Sequence, residues 1–321
     1  LRQDGFEQGV VRLGGRYGAA RIGVFIGTST AGMLQTELAY RRRDPNSGVL
    51  PADFHYEHTH NTFSPASFVQ RYLALTGPAV AVSSACSSSA KVFGNAQRMI
   101  AAGLCDAAIV GGVDSLCLTT LYGFNSLQLV SKNPCKPFDA ARDGISIGEA
   151  AGFALLEKSD EPIGNDQMAL LGVGESCDAY HMSTPHPEGL GARMAMQGAL
   201  TQAGLSTHDI DYINLHGTAT RSNDATEALA VNTIFGNGVA ASSTKGWTGH
   251  TLGAAGIIEA IISFIAIEEN FMPGSMHTDT IDPAVEIQYL KENRQAPVKR
   301  VLSNSFGFGG TNCSLIVGRA Q

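Results

Sequence analysis

Cys86 has the setting that most favours covalent chemistry. It stands in VSSACSSSA, between a short β-rich run at 79–82 and a helix predicted from about Ser88 to Ala102. A cysteine at the start of a helix feels the positive end of the macrodipole, which lowers the thiol pKa and favours thiolate. Small neighbours leave room for a bulky acyl group. The competing reading is a small buried cysteine, the commoner fate of this residue. The other cysteines, at 105, 117, 135, 177 and 313, lie in strand-like or loop segments and read as structural.

His216 ends an apolar strand, 210–215, and opens HGTAT. The carboxyl end of a sheet strand is a usual place for a site in α/β proteins. The alternative is a histidine that caps a loop. Lys245 and His250 share the loop STKGWTGH. The dipole of the apolar helix that follows is expected to keep His250 neutral and able to donate one hydrogen bond. Lys245 in so apolar a neighbourhood needs an acidic partner, with Glu227 and Asp224 the expected ones. Otherwise it snorkels at the surface. Glu259 interrupts an apolar helix, and a buried carboxylate must be paired, hydrogen-bonded or protonated. It lies nine residues after His250, about half a turn round an ideal helix. The two do not meet if that stretch is helical.

The loop FGFGG, 306–310, runs from one strand into another, which excludes a dinucleotide fingerprint. Its backbone N–H groups suit a developing oxyanion. STKG lacks the glycine that a phosphate-binding loop needs before its lysine. His55, His58 and His60 cluster in HYEHTH without the helical spacing of a zinc pair. They read as a polar loop, and no metal is expected.

The elements that must hold these residues alternate in type. Strands are predicted at 21–27, 106–112, 149–157, 168–176, 210–215, 301–303 and 314–317. Helices are predicted at 64–75, 88–102, near 190–203, 222–235 and 252–269. Such alternation favours a largely parallel sheet core. Residues 41–62 are polar, with Arg41–Arg43 in a row. SDEPIGNDQ at 159–167 is the most linker-like segment and divides the chain into halves 1–158 and 159–321.

The 321 residues are 44% hydrophobic and 16% charged, with 37 glycines, which suits an α/β protein with close helix–sheet contacts. A formal charge of −7 without a basic run argues against nucleic acid as a partner. No two of the six cysteines form a C-x-x-C pair, so a reducing, cytoplasmic compartment is expected. The longest apolar stretch, 256–267, is too short to span a bilayer.

Several long motifs in one order carry a family resemblance. They are VSSACSSSA around Cys86, PFDAARDGISIGEAAG at 137–152, SCDAYHMSTPHPEG at 176–189, INLHGTATRSNDATEA at 213–228, STKGWTGHTLGAAGIIEA at 243–260 and SNSFGFGGTNCSLIV at 303–317. The chain resembles the elongating β-ketoacyl-acyl-carrier-protein synthases of the thiolase-like superfamily. The resemblance implies a five-layered αβαβα fold with two similar halves. It implies Cys86 as nucleophile, His216 and His250 as the paired histidines of decarboxylation, Lys245 beside them, and Glu227 as that lysine's acidic partner. Glu259 matches the buried glutamate and Thr218 and Thr220 the threonines that hold the phosphopantetheine arm. Phe308 matches the phenylalanine that gates the acyl pocket, its N–H paired with that of Cys86 as an oxyanion hole. Phe306 and Phe124 join the substrate-binding set. The family's usual first strand and helical region before RIGVFIG is shortened or missing.

The implied reaction is a decarboxylative Claisen condensation of an acyl thioester on Cys86 with malonyl-acyl-carrier protein. No metal or redox cofactor is implied. The implied partners are acyl-carrier protein and a second subunit, as a homodimer or a heterodimer with a related synthase. A non-catalytic chain-length partner would lack Cys86. Initiating synthases carry asparagine for the second histidine and degradative thiolases a second catalytic cysteine, so His250 argues against both.

Overall fold

The computed structural model describes residues 1–159, 164 and 167–319. The chain starts with helix α1 (Phe6–Tyr17), which buries Val10 and Leu13, and turns into strand β1 (Ile22–Gly27). Every residue of β1 is buried, as its unbroken apolar run requires of a strand covered on both faces. Helices α2 (Met33–Arg41), α3 (Tyr56–Thr59) and α4 (Ser64–Tyr72) lead to β2 (Ala79–Val82). Helix α5 (Ser88–Ala101) crosses to β3 (Ala107–Asp114), and α6 (Leu118–Ser126) and a long loop lead to β4 (Ala150–Glu157). These strands form one sheet, β2-β1-β3-β4.

The second sheet draws on β5 (Met168–Cys177), α7 (Leu190–Ala203), β6 (Tyr212–Asn214), α8 (Arg221–Phe235) and β7 (Ala240–Ser242). Then come α9 (Lys245–Thr248), α10 (Ala255–Glu268) and the short strands β8 (Phe271–Met272), β9 (Gln288–Tyr289) and β10 (Arg294–Gln295). The hairpin β11 (Arg300–Gly307) and β12 (Thr311–Arg319) completes the order β5-β12-β11-β6-β7-β9.

The sheets are mixed rather than largely parallel. In the first, β4 runs antiparallel to β3. In the second, β12 runs antiparallel to both of its neighbours, β5 and β11, and β11, β6, β7 and β9 are parallel. The predicted strands at 301–303 and 314–317 are parts of this longer hairpin.

Helices α5 and α10 lie side by side between the sheets. Helices α1 and α4 cover the outer face of the first sheet, and α7 and α8 that of the second. The result is five layers, αβαβα. The central layer buries Val92, Phe93 and Ile257 against Phe25, Val110 and Leu315. The close approach needs glycine: a Cβ on Gly256 would stand 2.5 Å from the Ala90 nitrogen.

Helices α1, α2 and α6 are not among those predicted from the sequence, although Phe6, Val10, Leu13 and Tyr17 fall at helical spacing in α1. LTTLYGFNS in α6 has β-branched and aromatic residues of modest helix propensity. The Glu37 carboxylate accepts the Leu118 and Thr119 N–H groups and caps that helix from outside. The linker predicted at 159–167 lies mostly outside the described residues. Among the described residues no helix is long and apolar enough to cross a membrane.

Candidate active site

A tight elbow presents Cys86. Ala85, directly before it, has φ 51°, a conformation that costs a non-glycine residue of order 1 kcal/mol and clusters at functional sites. Serines hold the turn. Ser87 Oγ donates to Ser84 O at 2.9 Å and Ser88 Oγ to Ala85 O at 2.6 Å, while Ser84 N donates to Ser88 Oγ at 2.9 Å. The small residues of SSACSSS therefore satisfy the backbone as well as leaving space.

His216 follows β6. Its backbone N–H and that of Gly217 donate to the two oxygens of Glu227, each at 2.8 Å. Asn304 Nδ2 donates to the same carboxylate at 3.1 Å. Glu227 thus fixes the backbone of His216 and is not the partner of Lys245. That expectation rested on the nearness in sequence of α8 to HGTAT, whereas the contact is made across layers. Lys245 Nζ meets Glu259 Oε1 on α10 in a short ion pair and donates to His216 O at 2.5 Å. Both residues of the pair are buried, and Lys245 does not snorkel. The ammonium also stands 3.3 Å from His216 Nδ1. A lysine ammonium only donates, so Nδ1 is the acceptor and the imidazole proton sits on Nε2.

His250 is placed by backbone pairing: its N donates to Ser146 O at 2.7 Å and its O accepts from Gly148 N at 3.0 Å. It is not on the following helix, which starts at Ala255 after a 3-10 turn. Its Nε2 lies 3.1 Å from Cys86 Sγ, and its buried Nδ1 has no hydrogen-bond partner among the described residues. The His216 and His250 rings stand 5.4 Å apart, edge to face. One ligand atom from each of Cys86, His216 and His250 falls within 4.8 Å of the others.

Burial depresses both imidazoles well below the usual histidine range, and the Lys245 charge adds to it. The neutrality expected of His250 holds, but desolvation is its main cause. The expectation for Cys86 is reversed. Burial pushes the thiol up to about 11, against the pull of Lys245 and of the Phe308 backbone N–H on the sulfur. Burial likewise pushes the Glu227 carboxyl up to about 7, opposed by its backbone donors.

The pocket above the sulfur is lined by Phe124, Leu129, Ile145, Phe306, Phe308, Thr218 and Thr220. The Phe124 and Phe308 rings are 5.5 Å apart, and Phe306 packs 5.9 Å from His216. Thr218 and Thr220 share a hydrogen bond at 3.0 Å. Asn304, Leu129 and Ile145 went unread in the sequence, since their place depends on which segments the sheets bring together. Among the described residues His55, His58 and His60 do not converge on a common ligand point. Arg42 is taken up by a surface ion pair with Asp53.

A five-layered sandwich that brings a buried cysteine together with two buried histidines defines a thiolase-like fold. Residues 12–161 match the family profile "Beta-ketoacyl synthase, N-terminal domain", and residues 168–279 match its C-terminal counterpart. The chain belongs to the β-ketoacyl synthase family. It is 41% identical over 264 residues to 3-oxoacyl-[acyl-carrier-protein] synthase 2 of Rhizobium meliloti, covering 76% of this chain and 62% of that one. It is 34% identical to the synthase of the same name from Coxiella burnetii, covering 94% of this chain and 76% of that one. A ketosynthase from Xenorhabdus doucetiae, solved in complex with its chain length factor, superposes with a TM-score of 0.90 at 43% identity, covering 98% of this chain and 78% of that one.

Proposed function

We propose that this chain elongates acyl thioesters by decarboxylative condensation, with Cys86 carrying the acyl group and malonyl-acyl-carrier protein supplying two carbons. The observation that carries the reading is His250 Nε2 at 3.1 Å from Cys86 Sγ, beside a His216 whose Nε2–H is fixed by Lys245.

In the first step the thiol yields its proton to His250 Nε2 and the sulfur attacks the acyl thioester carbonyl. The N–H groups of Cys86 and Phe308 receive the oxyanion. The carrier's thiol leaves with the proton from His250, and an acyl–Cys86 thioester remains. Between the steps His250 exchanges its Nδ1 proton for one on Nε2, which presents Nε2–H to the malonyl group. In the second step the malonyl thioester oxygen accepts from Nε2–H of His216 and of His250. Carbon dioxide leaves, the enolate carbon attacks the Cys86 acyl carbonyl, and the carbon–sulfur bond breaks. The 3-oxoacyl product departs on the carrier, and the thiolate takes a proton from solvent. Thr218 and Thr220 hold the phosphopantetheine arm, with Phe124, Phe306 and Phe308 around the acyl group.

We assign the division into two halves to 1–158 and 159–321, and the compartment to the cytoplasm, in keeping with six free cysteines. The second subunit is a copy of this chain or a related synthase. The ketosynthase from X. doucetiae, with its chain length factor, supports the latter. The test is mass spectrometry of Cys86 after incubation with acyl-carrier protein or acyl-coenzyme A of graded chain length, followed by addition of malonyl-carrier protein. Loading from the carrier protein and a product two carbons longer are expected. Loading from coenzyme A alone, or no loss of carbon dioxide, overturns the reading.

A further inference from the structure

Asp114 closes β3, is 3% exposed, and takes no part in the steps above. Its carboxylate accepts five hydrogen bonds, all from neutral groups. Oδ1 accepts from Thr28 Oγ1 at 2.8 Å, Ser29 N at 2.8 Å, Thr30 N at 2.7 Å and Thr30 Oγ1 at 3.0 Å. Oδ2 accepts from Gly253 N at 2.6 Å. The first four donors belong to the loop after β1. The fifth belongs to the turn three residues beyond His250. From the loop after β1, Ser29 Oγ reaches Ala85 O at 3.3 Å, and Ala85 is the left-handed residue that aims Cys86.

The approach is close enough to require glycine at 253. A Cβ there would lie 2.7 Å from both Asp114 Oδ2 and Ser29 Oγ. A continuous path therefore runs from the His250 turn through Gly253, Asp114, Ser29 and Ala85 to Cys86. At its ends stand the imidazole nitrogen and the sulfur, 3.1 Å apart.

We propose that Asp114 is a positioning residue that sets the spacing between the Cys86 sulfur and the His250 imidazole. The proposal rests on the reading of Cys86 as the nucleophile. Asp114 acts through the two backbones it joins and touches no substrate. Asparagine in its place keeps the shape but turns an N–H₂ group toward one or more of the donors, so the joint opens.

Charge and position make opposite predictions. The Asp114 charge opposes ionisation of Cys86, so its loss alone would speed attack by the sulfur. Loss of position removes the imidazole that takes the thiol proton, and slows it. A displacement of ~1 Å away from the chemistry can cost about 100-fold. The experiment is the rate of Cys86 alkylation by iodoacetamide between pH 6 and 9, read by mass spectrometry. Asp114→Asn is expected to lower the rate at pH 7 by at least about tenfold, on that same scale. It should also steepen the rise with pH. Asp114→Glu, which keeps two acceptor oxygens, is expected to recover most of the loss. A rate unchanged or raised in Asp114→Asn, or no recovery with glutamate, overturns the proposal. If Asp114→Asn does not fold, Ser29→Ala cuts the same path at Ala85. Slowed alkylation is then expected, and the wild-type rate refutes the path. Alkylation needs neither carrier protein nor malonyl group. A chain that behaves in this way yet fails to condense overturns the proposed function and leaves the positioning role standing.

Discussion

Glu227→Gln isolates a buried carboxyl whose ionisation the fold opposes. Glu227 is 1% exposed and accepts the N–H groups of His216 and Gly217. Its carboxyl rises from the ordinary 4.5 to about 7, chiefly through burial. The native state therefore holds an extra proton between these values. The stability it brings is complete below pH 4.5 and is lost as pH rises through about 7. At about 1.4 kcal/mol per pH unit the span amounts to about 3 kcal/mol. Glutamine cannot ionise and lacks this pH-dependent part. It also turns an amide N–H₂ toward one backbone donor, a pH-independent cost of about 1–3 kcal/mol. Urea unfolding of both proteins from pH 4.5 to 8.5 separates the two terms. Wild type is expected to be the more stable at pH 4.5, with the gap shrinking by about 3 kcal/mol by pH 8. Parallel stability curves, or a gap that widens with pH, would refute the reasoning.

Lys245→Met leaves the Glu259 carboxyl buried without its cation, and removing one partner of such a pair costs about 3–5 kcal/mol. Burial already raises that carboxyl against the pull of Lys245, so melting curves of the variant should show the loss growing as pH rises. His216→Ala removes one donor to the malonyl thioester and is expected to slow release of carbon dioxide by about 100- to 1,000-fold. Loading of Cys86 should stay within a few-fold in that variant, whereas His250→Ala should impair both steps. Phe124→Ala opens the pocket beside Phe308 and should shift competition between acyl chains differing by one or two carbons by about tenfold toward the longer.

The three residues proposed to react are legible because each stands at a small or glycine-rich turn beside an apolar run: Cys86 after 79–82, His216 after 210–215 and His250 before the apolar helix. Their environment was less legible. The dipole argument for Cys86 is worth about 0.3–1 kcal/mol, or less than one pH unit. Full burial can move a group by about 3–5 units the other way, and burial cannot be read from the immediate neighbours in sequence. The partner of Lys245 is hidden in the sequence for a related reason. Glu227 lies on the helix after HGTAT, but that helix turns it up against the backbone of His216. Glu259 is brought to the ammonium by α10, which runs between the sheets. Asp114 carried only a weak signal, an acid closing a buried strand. Its five donors come from residues about 85 and 140 positions away.

The buried ion pair explains how two imidazoles can remain neutral beside a cation and still be useful. Lys245 alone in this pocket would carry a desolvation cost of several kcal/mol, and Glu259 offsets it. The paired ammonium then does two things to the histidines. It occupies His216 Nδ1, which leaves Nε2–H as the donor facing the pocket. Its charge further depresses the proton affinity of both rings, already low through burial. A cationic imidazole next to a new enolate would be an acid strong enough to protonate the carbon, ending in acetyl thioester instead of a carbon–carbon bond. A neutral imidazole stabilises the same charge by a hydrogen bond and keeps its proton. In the proposed reaction, the buried cation thus keeps the enolate unprotonated long enough to attack the acyl carbonyl on Cys86.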